Sequence, residues 1–154
     1  MIIRAFVFYM PPPLSRSEFK ARVFTRDGHR CVVCSGPAVD AHHIMDRSLF
    51  PDGGYYPDNG ASVCSLHHLD CEKTLISVEE IRRSAGITNI IVPPHFDPSI
   101  PYDKWGNPIR PDGRRDKGPI FELGNVQIAL HDVLHLFGED DPGIYRPYRK
   151  SGTV

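Results

Sequence analysis

The sequence predicts an α+β protein in which a β-hairpin and the helix after it are held to a preceding turn by a zinc ion. Three observations favour this fold. Residues 31–34 and 64–67 read C-x-x-C and C-x-x-H, which are zinc-knuckle spacings; short apolar runs flank a loop rich in glycine and proline; and the helix-capping pattern S-x-x-E occurs twice. We expect three segments: a strand and helix start at 1–19, the zinc-bearing core at 20–86, and a proline-rich extension ending in a helix at 87–154.

The composition limits the classes of function. The 154 residues carry 18 basic and 19 acidic side chains, and the net charge of −1 excludes a strong diffuse attraction of the whole molecule to nucleic acid or lipid, although a local basic face stays compatible. No segment reaches the roughly 20 apolar residues of a membrane span. The N-terminal run MIIRAFVFYMPPP contains Arg4, lacks a small-residue cleavage site and ends in three prolines, so it predicts a strand rather than a signal peptide. We expect an intracellular, cytoplasmic protein without a membrane partner.

Local signals predict the elements of the first half. A capping box at 15–18 indicates a helix from about residue 16, with Phe19 and Val23 on its buried face. Residues 38–45 and 61–64 are strand-like, and the loop between them, which contains SLFPDGGYYPDNG, is dense in turn-forming residues. The two runs therefore predict a hairpin, and SLHHLDCEKTL follows it as a helix.

The second half is less regular. Another capping box at 77–80 begins a helix that Gly86 ends, and ITNIIVPP at 87–94 is strand-like. Residues 93–119 hold seven prolines and fit either an ordered arm that wraps the core or a linker. A last helix is predicted over 125–137, because apolar residues recur there at helical spacing. The members of this apolar stripe are Val126, Leu130, Val133 and Phe137.

The four knuckle residues suit one tetrahedral ion. Cys31, Cys34, Cys64 and His67 supply the thiolate and imidazole ligands of a closed, structural zinc site. Disulfides are less favoured, because no secretory signal accompanies the cysteines. Cys71, one helical turn after His67, is an alternative fourth ligand or else a small buried thiol.

The adjacent histidines His67 and His68 cannot comfortably serve the same ion. Successive helical residues point about 100° apart, and His68 shares its face with Glu72 instead. His42 and His43 precede them at the end of a predicted strand, where neighbouring side chains point to opposite faces. One of these two can join His68 on a second metal with open coordination positions, while the other remains as a neutral base.

The motifs RDGHRCVVCSG, DAHHI, DNGASVC and C-x-x-H-H, in this order, resemble the zinc-knuckle form of the HNH (His-Asn-His) endonucleases over roughly residues 20–85. The resemblance implies a ββα-metal finger and the zinc ligands named above. It implies that His42 and His68 bind a catalytic divalent metal (Mg²⁺, Mn²⁺, Ni²⁺ or Zn²⁺). His43 would be the general base, and Asn59 would orient the loop and the base.

Substrate contacts are predicted less directly. Arg47 and Lys73 flank the expected site, and Arg114 and Arg115 belong to a basic run in the proline-rich arm. Some family members carry a further histidine or asparagine one turn after the last motif histidine, where this chain has Glu72. That carboxylate could bind the metal or a water, but it would repel DNA, so the sequence leaves the role of Glu72 open.

The resemblance implies hydrolysis of phosphodiester bonds, with duplex DNA as the first choice of polymer and RNA as the second. The products would carry 5′-phosphate and 3′-hydroxyl ends, and activity should fall below about pH 6.5 as the base becomes protonated. Asp40 is expected to support a metal-bound histidine. The alternative function is a non-catalytic, zinc-stabilised nucleic-acid-binding or adaptor module.

HDVLH at 131–135 is interpreted as an ordinary polar helix face, because Asp132 replaces the glutamate of metalloproteases. Small family members are often found in phages and mobile elements.

Overall fold

The computed structural model describes residues 11–138, so the predicted N-terminal strand lies outside the described residues, as does the C-terminal run IYRPYRK at 144–150, a basic tail whose aromatic and basic side chains are candidates for contact with nucleic acid. The α-helices and strands are α1 (Arg16–Arg26), β1 (Asp40–His43), β2 (Gly60–Val63), α2 (Ser65–Glu72), α3 (Val78–Ser84) and α4 (Gly124–Ala129). Short 3-10 helices span Arg47–Leu49, Pro57–Asn59 and His131–Leu136. The predicted α+β class is confirmed. No helix of residues 11–138 is both long and apolar enough to cross a lipid bilayer.

The predicted hairpin is confirmed as an antiparallel pair of β1 and β2, in which Asp40 lies opposite Val63 and His43 lies opposite Gly60. Helix α1 packs on this pair through the buried Phe19 and Val23. The contact is so close that a β-carbon on Gly60 would come within 2.6 Å of the Phe19 ring. Because Gly60 has no side chain, α1 can pack directly against the start of β2, at the position opposite His43.

Helix α1 begins where its cap predicts, because the Ser15 hydroxyl accepts a hydrogen bond from the backbone N–H of Glu18. The same arrangement, between Ser77 and Glu80, begins α3. Helices α2 and α3 close over the hairpin around one apolar cluster. Its buried members are Ile44, Ala61, Cys71, Val78, Ile81 and Ile87.

The strand predicted at 87–94 is wrong. Residues 87–94 pair with no strand among the described residues, and their two buried isoleucines go to different places. Ile87 packs with α3, whereas Ile91 packs with Met45 and Tyr56. The segment is therefore held by its side chains, and Pro93 removes a backbone donor that a ladder would need.

The last predicted helix is shorter than expected. Helix α4 ends at Ala129, and the tighter 3-10 helix His131–Leu136 follows, so a continuous helix over 125–137 is wrong. The apolar stripe itself is confirmed as buried. It surrounds Trp105 of the proline-rich segment, and the cluster includes Phe121, Val126, Leu130, Val133, Leu134 and Phe137.

The proline-rich segment is an ordered arm rather than a linker. The backbone N–H of Asp46 donates to the carbonyl of Lys104, and the indole N–H of Trp105 donates to the carbonyl of Glu72. The buried guanidinium of Arg115 pairs with Asp103 at 2.9 Å. These contacts fasten the arm to the loop after β1 and to the end of α2.

Candidate functional site

Four side chains from the first knuckle and the start of α2 form a compact cluster. The Sγ atoms of Cys34 and Cys64 are 3.9 Å apart, and Nδ1 of His67 lies 3.2 Å from Cys64 Sγ and 3.6 Å from Cys31 Sγ. A tetrahedral ion with Zn–S bonds of about 2.3 Å and Zn–N bonds of about 2.1 Å would separate two sulfurs by about 3.8 Å, and a sulfur and a nitrogen by about 3.6 Å. The four residues can therefore hold a metal ion such as zinc.

The electrostatics at Cys31 suit a metal ligand. Burial opposes its ionisation, but hydrogen bonds from the backbone of Cys64, Cys34 and Val33 outweigh burial and lower the thiol pKa to about 6. Cys31 is therefore largely a thiolate at neutral pH, the form that binds metal. Burial raises the pKa of Cys71 to about 12. Cys71 lies outside the ligand cluster and packs among apolar side chains, so its interpretation as a buried thiol is confirmed.

His68 points to a second cluster on the other side of α2. Its Nε2 lies 3.2 Å from Oε1 of Glu72, and its Nδ1 lies 3.6 Å from Oδ2 of Asp40. The ring centroid of His42 on β1 is 5.3 Å from that of His68. His67 and His68 therefore belong to two different clusters, and Asp40 contacts His68.

His42, His68 and Glu72 can converge on one cation, because a ligand atom from each lies within 4.8 Å of the others. Two ligands at about 2.1 Å from an ion are separated by about 3.0 Å in octahedral and about 3.4 Å in tetrahedral geometry. Glu72 Oε1 is 3.2 Å from His68 Nε2 and 3.7 Å from His42 Nδ1, so these two pairs are close to the spacing of ligands on one ion.

The protonation states of this second cluster favour a cation. Burial, followed by the charge of Lys104, holds the pKa of His42 well below its usual value. His42 Nδ1 is buried and has no hydrogen-bond partner within residues 11–138, so it is available as a ligand atom in a neutral ring. At Glu72 burial opposes ionisation, but the hydrogen bond with His68 and the charge of Lys104 outweigh burial and lower the carboxyl pKa. Glu72, whose role the sequence leaves open, is thus a carboxylate that could join His42 and His68 on a cation.

His43 faces the opposite side of β1, against α1. Its ring stacks on Phe19 with centroids 4.7 Å apart and meets Tyr55 edge-on at 5.0 Å. Burial and then the charge of Lys104 lower its pKa to about 4, partly offset by Asp46 and by a hydrogen bond with the backbone of Gly53. The imidazole is neutral at pH 7, and its Nε2 has no hydrogen-bond partner among the described residues.

Asn59 is fully buried and links the two ends of the hairpin loop. Its amide group accepts from the N–H of Met45 and donates to the carbonyls of Met45 and Gly54, at 3.0–3.2 Å. Its own carbonyl accepts from the N–H of Ile44. These bonds fix the chain immediately after His43, which agrees with the predicted orienting role.

Sequence reasoning missed Lys104, which the arm inserts behind the site. The side chain is 5% exposed, and Nζ donates to the carbonyl of His43 at 3.0 Å. Nζ also lies 3.4 Å from carboxylate oxygens of both Asp46 and Glu72. A lysine in a proline-rich segment gives no sequence signal for this position, since the contact spans 61 residues.

One cleft of about 350 Å³ brings most of these groups together. Its walls include His42, His43, His68, Glu72 and Lys104. The cleft thus contains the neutral imidazole of His43 and three side chains that could hold a cation.

No family model, curated protein or solved structure matches this chain. The chemistry of the cleft has to be inferred from its own residues.

The predicted substrate contacts have different positions. Arg47 is exposed on the wall of the cleft, whereas Lys73 lies outside the cleft lining, 3.8 Å from Asp132. Arg114 contacts Asp112 in the arm. Arg115 is buried and also donates to the hydroxyl of Thr74, so its guanidinium supports the arm. A role of Arg115 in substrate contact is corrected to a structural one, because the group is enclosed by protein.

The histidines of HDVLH form no metal cluster within residues 11–138. His131 and His135 are both exposed, and His131 contacts Asp132 beside it. The interpretation of this helix face as ordinary polar surface is consistent with these positions.

Proposed function

We propose that this chain is a metal-dependent endonuclease of the HNH type that hydrolyses phosphodiester bonds in DNA. In this proposal β1, β2 and α2 form a ββα-metal finger. One observation carries the proposal: a single cleft contains His42, His68 and Glu72, which could hold a cation, together with the neutral ring of His43. Nε2 of His43 has no hydrogen-bond partner among the described residues.

The ligand count supports a reactive centre over a second structural ion. Three protein ligands leave coordination positions open for water and substrate, whereas the site of three cysteines and His67 is complete with four. A divalent cation held by His42, His68 and Glu72 would polarise the phosphoryl group and stabilise the departing 3′-oxygen. A purely structural zinc module needs no second ion with open coordination positions.

The chemical step assigned to His43 is removal of a proton from the attacking water. Its buried Nε2 has no hydrogen-bond partner among the described residues and is the atom assigned to this step, and stacking on Phe19 holds the ring in place. Asn59 fixes the backbone after His43, and Lys104 fixes the carbonyl of His43 itself. Because the pKa of His43 is lowered to about 4, the base stays neutral well below pH 6.5, and activity should persist to lower pH than the sequence indicates.

Cleavage of supercoiled plasmid tests the proposal. The wild-type chain is incubated with Mg²⁺, Mn²⁺, Ni²⁺ or Zn²⁺ beside two variants, His43→Ala and the matched control His131→Ala, whose imidazole is exposed and distant from the cleft lining. We expect nicking by the wild type and the control, and a loss of about 10²–10⁴-fold in rate for His43→Ala. Equal nicking by all three proteins would refute the role of His43 as the base, and no nicking with any metal would refute hydrolysis. DNA binding without cleavage would indicate the non-catalytic module.

A further inference from the structure

Three exposed cations stand on the walls of the cleft. Arg16 and Lys20 project from α1, and Arg47 projects from the 3-10 helix that follows β1. Arg16 and Lys20 are four residues apart, so they share a helix face and are separated by about 6 Å along the axis. Arg16 lies before the stretch that resembles HNH nucleases, and Lys20 lies at its first residue, ahead of the metal and knuckle motifs.

These cations differ from most others in the described chain because no carboxylate lies within 4 Å of them. Several other basic groups of residues 11–138 are paired with carboxylates: Arg26 with Asp27, Lys73 with Asp132, Arg110 with Asp116, and Arg115 with Asp103. Arg16 and Arg47 have no ion pair with another described residue, and the ammonium of Lys20 lies over the ring of Phe24 at 5.3 Å. Three exposed cations without an ion pair to a described residue therefore line one cleft.

Helix α1 also fixes where these charges stand relative to the base. Phe19 lies between Arg16 and Lys20 in sequence, and its buried ring stacks on His43. The same helix that holds the imidazole therefore presents cations to the solvent side of the cleft. A phosphate bound by these cations would be placed at a fixed distance from His43 Nε2.

We infer that Arg16, Lys20 and Arg47 bind backbone phosphates of duplex DNA on either side of the bond to be cleaved. The inference rests on the proposed function and adds which side chains would hold the DNA. Contacts of this kind position the duplex without reading its bases, so this part of the surface confers affinity and register and no sequence preference. Each neutralised phosphate releases counterions, which makes the affinity depend on salt.

The test measures the affinity for a fluorescently labelled 20-base-pair duplex by anisotropy between 50 and 200 mM NaCl. Every protein carries His43→Ala, so that the duplex stays intact. We expect the slope of log Kd against log salt to fall by about 0.9 for each lost phosphate contact, hence by about 2 for Arg16→Gln with Lys20→Gln and by about 1 for Arg47→Gln. The control is Arg22→Gln, because Arg22 is exposed on the same helix but lines a separate groove.

A reduced slope in the cleft variants with an unchanged slope in the control supports the inference. An unchanged slope in the cleft variants overturns it, and so does the absence of measurable duplex binding. The plasmid assay on the wild type is independent of this result. Cleavage with unaltered salt dependence would refute the phosphate contacts alone, whereas altered salt dependence without cleavage would refute hydrolysis alone.

Discussion

Replacing Lys104 by methionine should destabilise the protein strongly, although the position lies outside every recognisable motif. Lys104 Nζ makes a charged hydrogen bond to the carbonyl of His43, and such bonds contribute about 1.5–3 kcal/mol. Removal also leaves Asp46, whose side chain is 13% exposed, without its cationic partner. Breaking a buried pair costs about 3–5 kcal/mol, but Asp46 keeps its hydrogen bond from Ser48 and methionine keeps the packing on Trp105. We expect a loss of about 3 kcal/mol in the free energy of unfolding.

Urea denaturation at pH 7 in zinc-containing buffer, followed by circular dichroism, measures this loss. The matched control is Lys73→Met, because Lys73 is 38% exposed and its ion pair with Asp132 spans 3.8 Å at the surface. That change should cost less than about 1 kcal/mol. Adding Asp46→Asn to Lys104→Met should restore part of the stability, since the unpaired buried charge is removed. If the two methionine variants unfold at the same urea concentration, Lys104 does not hold the site together.

Three further predictions concern the metal, the loop and pH. Cys31→Ser should lose tightly bound zinc and unfold, while Cys71→Ser should retain the metal; metal analysis by mass spectrometry after dialysis distinguishes them, and a folded, zinc-loaded Cys31→Ser protein would contradict the ligand assignment. Asn59→Ala should cost about 3 kcal/mol in urea unfolding because it leaves buried backbone groups of the loop without partners, and a loss below about 1 kcal/mol would contradict this. His43 takes up a proton near pH 6.5 when unfolded but near pH 4 when folded, so stability should fall as the pH decreases through this window. The contribution of His43 between pH 7 and pH 5 is about 2 kcal/mol. His43→Phe should show a correspondingly smaller fall, and an identical pH dependence would refute the lowered pKa.

The parts of the fold that the sequence predicts are those that depend on neighbouring residues. Ser15 and Ser77 cap the helices they were expected to cap, because capping joins groups three residues apart. The hairpin follows from two short apolar runs and a turn-rich loop. The separation of His67 from His68 follows from the helical rotation, and the two residues belong to different clusters.

The parts that the sequence does not predict depend on contacts over long distances. Residues 87–94 have the composition of a strand, but packing of Ile87 and Ile91 into separate clusters decides their conformation. The role of Lys104 requires the arm to return to the hairpin, and no local pattern encodes that return. Glu72 was correctly placed on the face of His68, but its convergence with His42 is visible only in three dimensions.

The position of Trp105 makes its intrinsic fluorescence sensitive to events in the cleft. Trp105 is the single tryptophan of the chain; its indole N–H donates to the carbonyl of Glu72, and the ammonium of Lys104 lies 4.9 Å from its ring. Indole emission responds to the charges around the ring, so a cation that engages Glu72 and displaces Lys104 should change the intrinsic fluorescence. Binding of a cation at the proposed site of His42, His68 and Glu72 could therefore be followed without labels, and paramagnetic Mn²⁺ and Ni²⁺ should quench the emission where Mg²⁺ does not.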